Sequence, residues 1–176
     1  MSRIKLSIIG LAVLLAVGGA YVVLRNTKPI TTTSSTATIL SKPAPDFNVQ
    51  AIDGQQFSLA AHKGKPVIVF AMFGGCGECI PVGQTLSKIQ KDYAAQGVSV
   101  VAIDILKGEP VSVLEQYRSD SKVSFPLVSY DEAVVNTYKL TAPEITYVID
   151  KNGSIANINK SALSYEQYKH QVEQAL

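Results

Sequence analysis

From about residue 66 onward, apolar residues fall into short continuous runs that alternate with helical patterns. The runs Val67–Met72 and 98–103 are almost entirely apolar, which predicts strands covered on both faces, as in the centre of a parallel sheet. Between them, apolar residues recur every three or four positions from Cys79 onward. This spacing predicts an amphipathic helix that begins near Cys79 and ends at Gly97, a residue type favoured just after a helix.

Turn and capping signals place the remaining elements of this region. They predict, in order, an N-terminal hairpin 47–59 around Asp53-Gly54, a helix from Pro110, an edge strand 125–128, a short helix from Asp131 to Tyr138, a hairpin 146–158 around Asn152-Gly153, and a last helix opened by a capping box of Ser164 and Gln167. Alternating strands and helices predict an α/β fold, with a central mixed sheet flanked by helices.

The N-terminal segment has a different pattern. Residues 6–24 carry no charge and are mostly apolar, close to the ~20 residues that span a bilayer as a helix. We therefore expect a signal anchor or transmembrane helix over 1–25, a polar Thr/Ser-rich tether over 26–42, and a folded domain over 43–176 facing the periplasm or another extracytoplasmic side. Gly18-Gly19-Ala20 also fits a cleavage site, and cleavage there would make the domain secreted.

Composition adds one decisive feature to this outline. The net charge of +2 and the absence of a basic stripe argue against nucleic-acid binding. The two cysteines, Cys76 and Cys79, stand at the predicted strand-to-helix junction. A disulfide that closes so short a loop constrains the unfolded chain little, so a structural role is a weak explanation. A Cys-x-x-Cys at such a junction instead indicates a redox site.

The predicted position assigns a different role to each cysteine. The helix N-terminus favours a thiolate at Cys76, which would attack a substrate disulfide. Cys79, one turn later and more buried, would then resolve the mixed disulfide. Glu78 lies between them, and its carboxylate disfavours the thiolate, which favours a reductase over a strong oxidant.

The order of these elements and motifs resembles the thioredoxin fold. The resemblance is closest to membrane-anchored thiol–disulfide oxidoreductases of the TlpA/ResA-like type, which share their outline with peroxiredoxins. It covers about 43–176 and rests on Pro45-Asp46-Phe47, Gly54 with Phe57-Ser58-Leu59, Gly64-Lys65-Pro66-Val67, the pair Cys76 and Cys79, Pro143, and Tyr147-Val148-Ile149-Asp150 with Gly153.

The resemblance carries further expectations about the site. Pro143 should be a cis-proline facing the disulfide, and Ala142 should offer backbone groups to an extended substrate segment. The chain should reduce disulfides of extracytoplasmic client proteins, for example in cytochrome c maturation, and be re-reduced by a membrane electron-donor thiol protein. It should need no cofactor beyond its redox-active disulfide, and no metal.

Three departures from the relatives' pattern affect the site, one of which is that the strand Val67–Met72 contains no aspartate. Gly74-Gly75 replaces the aromatic residue that usually precedes the first cysteine, which we expect to loosen the backbone there. Val82 stands where related reductases often carry a glutamate. The proton acceptor for Cys79 is therefore unidentified, and Glu144 and Asp104 are candidates from their predicted positions.

Two other functions compete with thiol–disulfide exchange. A copper-delivery module could bind Cu(I) through Cys76 and Cys79. A thiol peroxidase is less consistent, because Phe73 occupies the place where those enzymes carry a threonine. Zinc sites need about four ligands. The two histidines, His62 and His170, fall in a polar turn and on the terminal helix, which favours surface positions for both.

Overall fold

A computed structural model describes residues 42–176. The predicted membrane helix over 1–25 and nearly all of the predicted tether lie outside these residues. Within the described part of the chain, every helix is too short or too polar to cross a membrane. Lys42, the last residue of the predicted tether, lies in a two-residue strand that pairs with the C-terminal hairpin.

The described residues form eight strands and four α-helices. The strands are β1 Lys42–Pro43, β2 Asn48–Gln50, β3 Gln56–Ser58, β4 Val67–Met72, β5 Ser99–Asp104, β6 Leu127–Val128, β7 Thr146–Ile149 and β8 Ser154–Asn159. The helices are α1 Cys79–Asp92, α2 Val111–Ser121, α3 Glu132–Tyr138 and α4 Tyr165–Ala175.

Six of the strands form one mixed sheet in the order β1-β8-β7-β4-β5-β6. The neighbours β4, β5 and β6 run parallel, whereas β7 lies antiparallel to both β4 and β8. All six residues of β4 are buried, which agrees with the continuous apolar run that predicted it. Separately, β2 and β3 pair as an antiparallel hairpin.

Successive side chains of the sheet alternate between two cores. Ile68, Phe70 and Met72 of β4 face a core shared with α1, α2, α4 and both cysteines. Val67 and its alternate neighbours face a second core, which the β2–β3 hairpin and α3 cover. The cysteine pair therefore lies in the layer between the sheet and three of the four helices.

The capping predictions are confirmed, and one helix end differs from the prediction. Asp131 accepts the Val134 N–H at 2.9 Å, and Ser164 and Gln167 form the reciprocal capping box. The helix that begins at Cys79 ends at Asp92, whereas the prediction extended it to Gly97. A short 3₁₀ helix, Ala94–Gln96, occupies the remainder, because the chain tightens to i→i+3 bonding at the helix end before Gly97 adopts a φ of 78°.

Candidate functional site

The cysteine pair spans the junction between β4 and α1. The strand ends at Met72, a loop follows over 73–78, and the helix begins at Cys79 itself. Cys76 and Cys79 form a disulfide with their Cα atoms 5.2 Å apart. Cys76 retains 4% of its surface exposed, whereas Cys79 is fully buried. A substrate can therefore reach only Cys76.

The sulfur of Cys76 lies at the first amide of α1. The Cys79 N–H is 3.1 Å from Cys76 Sγ and also 3.1 Å from the Cys76 carbonyl oxygen. Amides in the first turn of a helix lack intrahelical acceptors and carry the positive end of the helix dipole. This position stabilises negative charge on Cys76 once the disulfide is reduced.

A tyrosine on α2 forms a hydrogen bond with the first residue of α1. The Tyr117 hydroxyl donates to the Cys79 carbonyl oxygen at 2.9 Å, and its ring is buried. Burial raises the pKa of Tyr117, so the hydroxyl keeps its proton. Gly83 leaves the space for this contact, because a Cβ there would overlap the hydroxyl oxygen and lie 3.0 Å from Val123. This hydrogen bond holds the backbone of Cys79 against α2.

The expectation that Gly74-Gly75 loosens the backbone is wrong for Gly74. Its N–H donates to Glu109 Oε2 at 2.6 Å. A Cβ at Gly74 would lie only 2.7 Å from Val113 Cγ1 and 2.8 Å from the Val113 carbonyl oxygen. The glycine is thus required by a close approach of the loop to α2. Gly75 is exposed, and a Cβ there would make only ordinary contact with the Phe73 ring.

The expectation of a cis-proline at Pro143 is also wrong, because its peptide bond is trans. Pro143 and Glu144 are the two central residues of a turn. Proline at the first central position and a left-handed residue at the second, here Glu144 with a φ of 66°, are typical of a type II turn. This turn reverses the chain without a cis bond. The Glu144 N–H donates to the Ala71 carbonyl oxygen of β4 at 2.9 Å. This bond holds the loop against the strand that leads to Cys76.

Glu78 and Glu144 lie on the same depression beside the start of α1. Pro81, Val82 and Leu163 help to line it. Glu78 is exposed, and Glu144 is half-buried. Ala142 is exposed and Pro143 is half-buried on the same loop as Glu144. The structure therefore places the predicted modulating acids near the cysteine helix and near each other.

Asp104 occupies an unusual position for an acid. It ends β5, opposite Met72 in the ladder, and is fully buried. By strand alternation it faces the core that contains both cysteines, as Ala102 does. Its Oδ1 accepts the Leu106 N–H at 2.8 Å, while Oδ2 lacks a partner among the described residues.

The environment of Asp104 shifts its acidity. Burial raises the pKa of Asp104 to about 6, the Leu106 N–H opposes this increase, and the negative charge of Glu109 adds to it. The carboxyl therefore exchanges its proton near neutral pH.

The histidines lie away from the cysteines. His62 Nδ1–H donates to the Ser58 carbonyl oxygen at 2.9 Å, and its ring stacks on Phe57. His170 is exposed on α4. Across residues 42–176, groups of three or more His, Cys, Asp or Glu side chains arranged to hold a metal are absent.

Sequence reasoning missed Glu109, Gly83 and the role of Tyr117. The Tyr117 hydroxyl contact joins two helices that are distant in sequence, so no local pattern marks it. A glycine in the interior of a helix, where it costs about 1 kcal/mol relative to alanine, was a signal that something packs against Gly83. Nothing in the local pattern marked Glu109.

Comparison with known proteins agrees with this geometry. The AhpC/TSA family model matches residues 40–158. "Thiol-disulfide oxidoreductase ResA" of Geobacillus thermodenitrificans is 28% identical over 142 residues, which cover 80% of each chain. "Thioredoxin-like protein YneN" of Bacillus subtilis is 27% identical over 131 residues, covering 74% of this chain and 76% of that protein.

Solved structures show the same fold. A thiol:disulfide interchange protein of the thioredoxin family from Chlorobium tepidum superposes with a TM-score of 0.70 at 23% identity, covering 77% of this chain and 96% of that one. The fold, the disulfide at the strand-to-helix junction and the matches to these relatives all agree. The chain belongs to the AhpC/TSA family and is a thioredoxin-fold thiol–disulfide oxidoreductase.

Proposed function

We propose that the protein reduces disulfides of client proteins through Cys76 and Cys79. The observation that carries the exchange chemistry is the position of Cys76 Sγ, 3.1 Å from the first amide of α1, with a fully buried cysteine one turn further on, whereas the reductive direction rests on the nearby carboxylate of Glu78. In the reduced protein the Cys76 thiolate attacks one sulfur of the client disulfide. A mixed disulfide forms, and the other client sulfur leaves as a thiolate.

The second step returns the protein to the disulfide form described above. Cys79 loses its proton and attacks Cys76 Sγ, which releases the second client thiolate and forms the Cys76–Cys79 bond. Two electrons pass to the client in the full sequence. We propose Asp104 as the group that accepts the Cys79 proton, since it is buried on the cysteine side of the sheet and has a pKa of about 6. Glu78 and Glu144 act as modulators of the charge around α1.

We propose that the client binds as an extended segment along Ala142 and Pro143. These residues are accessible and belong to the loop that is hydrogen-bonded to β4 next to the cysteine loop. The exposed carboxylate of Glu78, between the two cysteines, supports the reductive direction, because strong oxidants stabilise their thiolate form.

The proposed setting is extracytoplasmic, with the domain held by an N-terminal membrane anchor. The uncharged apolar segment 6–24 and the Thr/Ser-rich stretch after it support this setting. An apocytochrome c is one client of suitable chemistry, and a membrane thiol protein would supply the electrons. The cycle uses only the disulfide and needs no further cofactor.

A trapping experiment tests the exchange reaction. In Cys79→Ala the mixed disulfide cannot be resolved, so we expect covalent client adducts that dithiothreitol releases. Cys76→Ala is the matched control and should form none. Absence of adducts in Cys79→Ala, together with tight binding of one Cu(I) by the reduced wild-type pair, would instead establish the copper-delivery function.

The reduction potential tests the direction. A value near thioredoxin's about −270 mV supports a reductase, and a value near about −120 mV would show an oxidant. Equilibration of the purified protein with glutathione or dithiothreitol buffers gives this value directly.

A further inference from the structure

A half-buried glutamate outside the cysteine motif holds the loop that leads to Cys76. Glu109 lies in the connection between β5 and α2, distant in sequence from the motif. Its Oε2 accepts the Gly74 N–H at 2.6 Å. Gly74 is two residues before Cys76, so this hydrogen bond acts on the backbone that positions the reactive sulfur. A carboxylate acceptor makes such a bond stronger than a neutral one.

Steric contact fixes the same glycine from a second direction. The space for a Cβ at Gly74 is already occupied by Val113, in the first turn of α2. Gly74 is thus in contact with two residues of the β5–α2 region, one through a hydrogen bond and one through packing. The loop before Cys76 cannot shift without breaking one of these contacts.

The connection that carries Glu109 is itself tied to the sheet. The Ile105 N–H donates to the Met72 carbonyl oxygen at 2.9 Å, at the end of the strand that precedes the cysteine loop. The Leu106 N–H donates to Asp104. These bonds position the connection relative to β4, so the glutamate is held at the loop.

We propose that Glu109 is a positioning residue for thiol–disulfide exchange, which clamps the Gly74 amide and keeps the protein reducing by placing a negative charge beside the Cys76 loop. A carboxylate there disfavours the Cys76 thiolate and hence the reduced form, while the disulfide form carries no charge on sulfur. The inference deepens the proposed reductase function and rests on the same two cysteines.

Three variants of the full chain separate the clamp from the charge. Glu109→Gln keeps a hydrogen-bond acceptor and removes the charge, whereas Glu109→Ala removes both. Glu115→Gln removes a charge from an exposed position on α2 and is the matched control. Urea unfolding of each oxidised protein verifies folding before the other measurements.

The charge is tested by equilibration with glutathione at pH 8. We expect Glu109→Gln to raise the equilibrium constant for reduction of the protein disulfide about three- to tenfold, a tenfold change being about 30 mV for this two-electron couple. Glu115→Gln should stay within about twofold of wild type. If Glu109 only supports the start of α2, Glu109→Gln should lower the free energy of unfolding and leave the equilibrium constant for reduction unchanged. That result would overturn the proposal.

The clamp is tested by hydrogen–deuterium exchange with residue-level fragmentation. The Gly74 amide should exchange at least about tenfold faster in Glu109→Ala than in wild type, and within about threefold of wild type in Glu109→Gln. Equal Gly74 exchange in Glu109→Ala and wild type would disprove the clamp. The wild-type potential by itself tests the reductive direction, whereas these differences between variants test Glu109, so the two can fail separately.

Discussion

Burial of the ionisable Asp104 side chain should lower the free energy of unfolding by a measurable amount at neutral pH. Its pKa is raised from 3.8 to about 6, chiefly by burial. The folded state therefore binds more protons than the unfolded state between these values, and stability should fall as pH rises from about 4 to about 6. The shift corresponds to roughly 3 kcal/mol at neutral pH, by the relation of about 1.4 kcal/mol per pKa unit.

The variant Asp104→Asn should remove this pH dependence. An asparagine oxygen can still accept the Leu106 N–H, and the side chain has no charge to bury. We expect it to unfold like wild type near pH 4 and to be about 2–3 kcal/mol more stable at pH 7.5. Urea unfolding of both oxidised proteins between pH 4 and 7.5 measures the difference. A difference that is constant across this range would show that Asp104 does not titrate as proposed.

At the scale of elements, the packing of α1 on α2 depends on a missing side chain. Helix propensity alone predicts that Gly83→Ala stabilises α1 by about 1 kcal/mol. The structure predicts the opposite, because the added methyl overlaps the Tyr117 hydroxyl. We expect Gly83→Ala to destabilise the protein by about 1–3 kcal/mol, the usual cost of overpacking.

A double-mutant cycle identifies the cause of this loss. Tyr117→Phe removes the hydroxyl and its bond to Cys79, at an expected cost of about 1 kcal/mol. In the Tyr117→Phe background the overlap with the hydroxyl is gone and the close approach to Val123 remains, so the penalty of the added methyl should fall by at least about 1 kcal/mol without vanishing. Urea unfolding of the four proteins gives the coupling, and strictly additive effects would contradict the contact.

The elements that sequence reasoning predicted correctly depend on local signals. The side chains of Asp131 and Ser164 accept hydrogen bonds from backbone amides three residues later, which is a local contact. The continuous apolar sequence of β4 likewise predicts that the strand is buried. The errors at the site concern contacts between distant segments. Gly74 contacts Glu109 in the β5–α2 connection and Val113 in α2, both more than 30 residues later, and no local pattern records that approach.

The turn at Pro143 shows the same limit. Proline lowers the preference for a trans peptide bond but still leaves trans favoured. Here the left-handed conformation of Glu144 reverses the chain with a trans bond, and the Glu144 amide bonds to Ala71. The position of the loop beside β4 was predictable from the order of elements, whereas its peptide geometry depends on that tertiary contact.

At the scale of the whole molecule, the disulfide couples folding to redox state. Reduction and unfolding form a thermodynamic cycle, so a protein that stabilises its disulfide when folded is a weaker oxidant than its unfolded chain. A strong oxidant shows the reverse, because its folded structure stabilises the dithiol. The relative stability of the two redox forms therefore reports the direction of electron flow without any client.

For a reductase, the oxidised protein should be the more stable form. We expect its free energy of unfolding to exceed that of the dithiothreitol-reduced protein by about 1–3 kcal/mol, toward the lower part of the ~0–5 kcal/mol span of disulfide stabilisation because the loop is short. Urea unfolding under each condition measures this difference, and a variant with both Cys76 and Cys79 replaced by serine should not respond to dithiothreitol. A reduced form more stable than the oxidised one would reverse the assignment, since Cys76 would then be stabilised as a thiolate by the first amide of α1 more strongly than Glu78 and Glu109 oppose it.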